Sequence, residues 1–170
     1  VASAVALAVI IAQGTLGGFR VLDNNPQLAF LHGAFGQLTF AIIVATAAVL
    51  SPRWIAADRR PCKLAASVQR RSTVAVLFVY ATIVIGALLR HGMRHGGTYQ
   101  PPIDTPTALV LHVALVFGAV GSVVALILGL RATAKQGAEG GHDRGALRSL
   151  ATRLAWLLGA QVALGVSSFL

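Results

Sequence analysis

The chain has 170 residues, 56% of them hydrophobic and only 11% charged, with a mean hydropathy of +0.75. That composition excludes an ordinary soluble domain of this length and leaves one polytopic membrane domain. The net charge of +9 does not point to nucleic acid, because the basic residues fall between apolar runs rather than along one polar face.

Five apolar runs are each long enough to cross a hydrocarbon core of about 30 Å. They are Val1 to Gly18, Leu28 to Leu50, Ser72 to Leu89, Thr107 to Leu130 and Leu150 to Leu170. No proline interrupts them; Pro26, Pro52, Pro61, Pro101, Pro102 and Pro106 lie in connections or at span edges. The fold class read from this pattern is all-α, a polytopic transmembrane helix bundle. Val1 already lies in an apolar run, and the last run stops at Leu170 without a polar exit. Both ends are therefore expected to be internal to a longer membrane protein. Val1 to Ala12 lacks the basic start of a signal peptide. The sole cysteine, Cys62, excludes an intramolecular disulfide and any multi-cysteine metal site.

The connections separate by charge. One inner connection carries Arg53, Arg59, Arg60, Lys63, Arg70 and Arg71, and another carries Arg131, Lys135, Arg144 and Arg148. The other two hold only Arg20, Arg90 and Arg94. The positive-inside rule puts the richly basic connections in the cytoplasm and residues 19–27 and 90–106 outside. Thr133 to Gly145 reads as a flexible loop.

A short element recurs. The first span ends QGTLGGFR (Gln13 to Arg20), the third ends TIVIGALLR (Thr82 to Arg90), and the fifth contains QVALG (Gln161 to Gly165). A Leu/Ile-Gly step stands near the outer end of a span, twice followed by arginine. Small residues there let another helix or a flat ligand approach the backbone. A histidine-bearing span follows two of the three copies.

His32 opens the second span in LHGAFGQL, four residues from Gly36 and so on the same helix face. A histidine near the end of an apolar span is a functional-site hypothesis by default. In a membrane bundle the reading divides between an axial haem ligand and an interfacial imidazole bonded to water or a carbonyl. His112 lies inside the fourth span and reads as the deeper of the two, with the same division between iron ligand and hydrogen bond. His91 and His95 are four apart, but Gly92, Gly96 and Gly97 argue against a helix there, and no acidic or cysteine ligand is near. His142 falls in a polar loop. The acidic residues, Asp23, Asp58, Asp104, Glu139 and Asp143, all lie in connections. The spans therefore offer no embedded acid of the kind a proton-coupled pump needs.

Taken in order, QGTLGGFRV (Gln13 to Val21), LHGAFGQ (Leu31 to Gln37), a basic inner connection, GALLRH (Gly86 to His91) and LHVALVFGA (Leu111 to Ala119) resemble the haem A synthase family of membrane oxidoreductases. The resemblance is best over the first two spans and extends loosely over all five. It implies an eight-helix protein of two similar four-helix halves, with five spans visible here as the third to seventh helices. Residues 1–50 would end the N-terminal half, 51–71 would be a cytoplasmic linker, and 72–170 an incomplete C-terminal half.

On this resemblance His32 is an axial ligand in the half that takes haem O as substrate, and the second half holds haem b. Family second helices often read HxxHR with the later histidine as ligand. Here Leu115 and Val116 stand at those two positions. His112 is then either a shifted iron ligand or a polar contact in a half without haem. Arg20 and Arg90 are candidates to pair with haem propionates, and Gly17, Gly18 and Gly36 to make room for the ring. The family helix with a catalytic glutamate has no counterpart among the five spans, so no catalytic residue is assigned.

The implied reaction is oxidation of a haem O methyl group to the formyl group of haem A, in a bacterial inner membrane. The electron acceptor is unspecified and a haem O synthase is a candidate partner. The rivals are a b-type haem electron carrier of the same architecture and a non-catalytic membrane subunit that packs in a larger complex.

Overall fold

The computed structural model describes residues 1–56, 63–94, 103–135 and 144–167, and all regular structure among them is α-helical. The elements are α1 (Ala2–Leu22), α2 (Pro26–Val49), α3 (Pro52–Ile55), α4 (Lys63–Arg94), α5 (Thr105–Lys135) and α6 (Arg144–Ser167). All but α3 contain a stretch long and apolar enough to cross a membrane. The chain is thus an all-α, multi-pass membrane protein, as its hydropathy predicts.

The helices overrun the apolar runs. Arg20 lies in the last turn of α1 rather than in a loop, where a cation suits the negative end of the helix dipole. Lys63 to Arg71 begin α4, and Thr133 to Lys135 end α5. The loop expected over 133–145 is accordingly shorter, and its residues 136–143 lie outside those described, with His142 among them. The backbone of α4 continues through Gly92 to Arg94, so Gly92 does not end the helix. A glycine is tolerated where a spanning backbone must satisfy its own hydrogen bonds. His95 lies outside the described residues, so its pairing with His91 does too.

A tight turn sets the register of α1 against α2. Asp23 caps α1 at its C-terminus, and Asn24 takes φ 45°, the left-handed region that asparagine tolerates. The Asn25 side chain accepts from the backbone N–H of Gln27 (2.8 Å) and Leu28 (3.4 Å), and Pro26 opens α2. On α1 the less exposed positions are Ala2, Ala6, Val9, Gln13 and Leu16–Gly17; facing them on α2 is a stripe through Leu28, His32, Gly36, Thr39, Ile42, Thr46 and Val49. The mixed steps of three and four are those of helices packed at a shallow angle.

The described chain forms two compact units. One comprises Val1–Arg59 and Tyr80–Val113, the other Arg60–Val79 and Ala114–Leu170. In the second, Ala75, Leu126, Ile127, Leu130 and Ala151 form the core, with Val68, Leu147, Leu154 and Leu158 packed on it. Phe78 of α4 occupies the space over Gly118 of α5, and the Arg71 guanidinium lies over Gly129 and donates to the Ala125 carbonyl at 3.3 Å. Half of the buried apolar residues are alanines, which let helix backbones approach where lipid removes the hydrophobic drive to associate. Large side chains such as Ile11, Phe40, Phe117, Trp156 and Leu164 point outward, as a lipid-facing surface requires.

Candidate functional site: two histidines seated on glycines

In the α1–α2 hairpin, His32 of α2 projects onto Gly17 of α1. A β-carbon on Gly17 would stand 2.8 Å from His32 Cε1 and 3.2 Å from Nδ1, closer than side chains tolerate, while Nε2 lies farther away at 3.6 Å. Only glycine admits the ring at this position. The Gln13 amide, one turn earlier on α1, reaches across in the same way. Its Nε2 donates to the His32 carbonyl at 2.8 Å and lies 2.9 Å from His32 Nδ1. A β-carbon on Gly36 would stand 3.1 Å from that nitrogen. Each helix therefore offers a polar knob and, four residues on, a glycine hole for its neighbour's knob. The spacing of four puts knob and hole on one face of each helix.

The α4–α5 pair repeats half of this arrangement. His112 of α5 projects onto Gly86 of α4, with a Gly86 β-carbon 2.9 Å from His112 Cε1, 3.2 Å from Nδ1 and 3.8 Å from Nε2. The ring edge turned to the glycine is the same in both pairs. The helix starts match as well. The Asp104 carboxylate accepts from Thr107 N–H at 3.0 Å, and this bond holds its carboxyl below the usual carboxylate range, helped by the Thr107 side chain. His32 comes seven residues after Asn25 and His112 eight after Asp104. At about 1.5 Å of rise per residue the two histidines stand at nearly equal distances from their helix starts.

The second pair lacks the clamp. Thr82 stands one turn before Gly86, where the first pair has Gln13, and Val116 stands where it has Gly36. Among the described residues, His112 Nδ1 is buried with no hydrogen-bond partner. The polar contact that would explain a structural histidine is absent at that atom, and an unmet buried nitrogen costs on the order of 1–3 kcal/mol. Leu115, on the same face, is partly buried.

The remaining expected residues distribute unevenly. Gly36 makes room for Gln13, and a β-carbon on Gly18 would meet open space. Arg20 and Arg90 are exposed, three and four residues beyond Gly17 and Gly86 towards the C-terminal ends of α1 and α4. Both hairpin sites fall in the first compact unit. The third copy of the recurring element puts Gln161 and Gly165 on α6 at the same spacing of four. Among the described residues, no group of three or more His, Cys, Asp or Glu side chains comes together to hold a bare metal ion.

Gln13 and Gly86 were the residues whose roles the sequence concealed. The available signal was distance from the turn. Gln13 and Gly36, and Gly17 and His32, stand equally far on either side of the Asn24–Asn25 step, which is how residues face one another in a tight antiparallel hairpin.

The residues a haem would call on are present: two imidazoles, each with a guanidinium about one turn beyond its glycine seat on the adjoining helix. Compared with known protein families, curated proteins and solved structures, the chain matches none.

Proposed function

We propose that this chain is the haem-holding part of a membrane oxidoreductase of the haem A synthase type. The observation that carries the reading is the repeated seat: two helix pairs set an imidazole on a glycine with the same ring edge, at nearly the same distance from the helix start. One such seat is ordinary helix packing. Two, in a chain whose segments follow the family's order, favour a pair of haem sites.

In this reading His32 and His112 hold iron, and Arg20 and Arg90 meet the propionates. Gly17 and Gly86 fix the rings that would do the ligating. Bound haem supplies redox chemistry at its iron, and haem O is also the substrate whose methyl group becomes formyl. The protein's own part is to seat the macrocycle, orient it through the arginines and exclude water with the apolar spans. The positive-inside rule favours an orientation in which the seats lie towards the outer side of a bacterial inner membrane.

The test is to express the full-length reading frame in cells that make haem O but no haem A, and to extract the haems. Appearance of haem A supports the reading. Haem b bound without conversion would favour the electron carrier, and protein without any haem would favour the packing subunit.

A further inference from the structure

The hydrogen bonds of Gln13 fix where the proton sits on His32. The amide atom at issue lies 2.8 Å from the His32 carbonyl oxygen and 2.9 Å from its Nδ1. A backbone carbonyl only accepts, so this atom is the NH2 nitrogen; an amide oxygen there would face another oxygen with no proton between them. One amide hydrogen goes to the carbonyl and the second points at Nδ1. The amide nitrogen has no acceptor capacity, so Nδ1 must accept and carries no proton. The neutral imidazole then bears its proton on Nε2.

We propose that Gln13 is a positioning residue that holds His32 as its Nε2–H tautomer until the ring is called on to bind iron. Gly17 and Gly36 keep the device in register, since a β-carbon at either would displace the ring or the amide. The consequence rests on the haem reading above. Nδ1 is engaged by Gln13, so iron would need the lone pair of the other ring nitrogen, Nε2. Metal-ligating histidines donate their other ring N–H to an oxygen. For His32 to ligate, one proton leaves Nε2 and one is taken up at Nδ1, with no net change. The Gln13 NH2 group, which can only donate, would then have to give up its place beside Nδ1. His112 lacks this control, because its Nδ1 has no partner among the described residues and Thr82 stands at the position of Gln13.

The test is nitrogen NMR of the histidine rings in full-length protein, prepared free of haem and labelled with 15N-histidine, at a pH where the rings are neutral. His32 and His112 signals are assigned by their loss in His32→Ala and His112→Ala. Wild-type His32 should show a protonated Nε2 and a bare Nδ1. Gln13→Glu, whose carboxylate can only accept, should reverse this pattern, and Gln13→Leu should give a mixture of tautomers. His112 signals should not move in either variant. Because an unconstrained ring could also favour Nε2–H, the reversal in Gln13→Glu decides. Retention of Nε2–H in both variants, or Nδ1–H in the wild type, would overturn the proposal. Haem titration of the same samples should show at least tenfold tighter binding by Gln13→Glu. A tautomer reversal with no haem bound by any variant would sink the haem reading and leave the role of Gln13 standing.

Discussion

His112 presents the Cε1–Nδ1 edge of its ring to Gly86, with Nδ1 3.2 Å from where a β-carbon would stand and no hydrogen-bond partner for that nitrogen among the described residues. The contact makes Gly86 the residue on which the placement of His112 depends. Gly86→Ala should push the ring out of its seat and destabilise the haem-free protein by about 1–3 kcal/mol, the usual cost of overpacking. Gly17→Ala should do the same to His32. Thermal unfolding in detergent checks both, with Gly159→Ala as the control, since a β-carbon there meets open space.

His112→Leu should have the opposite sign in the haem-free protein. It replaces a buried nitrogen without a partner by methyl groups, and relief of an unmet polar group is worth on the order of 1–3 kcal/mol. A rise in unfolding temperature is expected. A fall would mean that a segment outside the described residues supplies His112 with a partner.

The Asp104 cap should show as a pH dependence. Its native carboxyl is held below the ordinary value by the bond from Thr107 N–H. A lowered native value means that the cap contributes fully above the unfolded carboxyl's pKa of about 3.9 and is lost as pH falls through the lower native value. Asp104→Asn keeps an acceptor at every pH. The variant should match the wild type at neutral pH and lose less stability in acid, as read by circular dichroism from pH 7 to 2.

Topology can be checked with single cysteines after Cys62→Ser. Asp23→Cys in the α1–α2 turn and Ala132→Cys near the end of α5 should react with an impermeant thiol reagent from opposite sides. Asp23→Cys should react from outside, because the end of α5 lies among the basic residues. Reaction of both from one side would contradict the assigned orientation.

How much of this was legible in the sequence follows from range. The five spans were, because hydropathy is summed over some twenty residues and each helix must satisfy its own backbone. Span ends were not: Arg20, Lys63 and Lys135 are polar yet helical, since a helix need not stop where the apolar core does. His32 stood out as a polar residue in an apolar run. The role of Gln13 did not, because it depends on which α1 residue faces His32. The Asp23–Asn25 turn sets that register, and hydropathy does not carry it. The recurring Leu/Ile-Gly step was visible, but the use of its glycine as a seat for the next helix's histidine is a tertiary fact.

The most direct test of haem binding at His32 is the visible spectrum of purified full-length protein, wild type against His32→Ala, with haem quantified per chain. The variant should insert normally, because the span stays apolar, and should lose haem or change its spectrum, while Gly159→Ala leaves both unchanged. Identical haem content and spectrum in His32→Ala and wild type would contradict an axial role for His32.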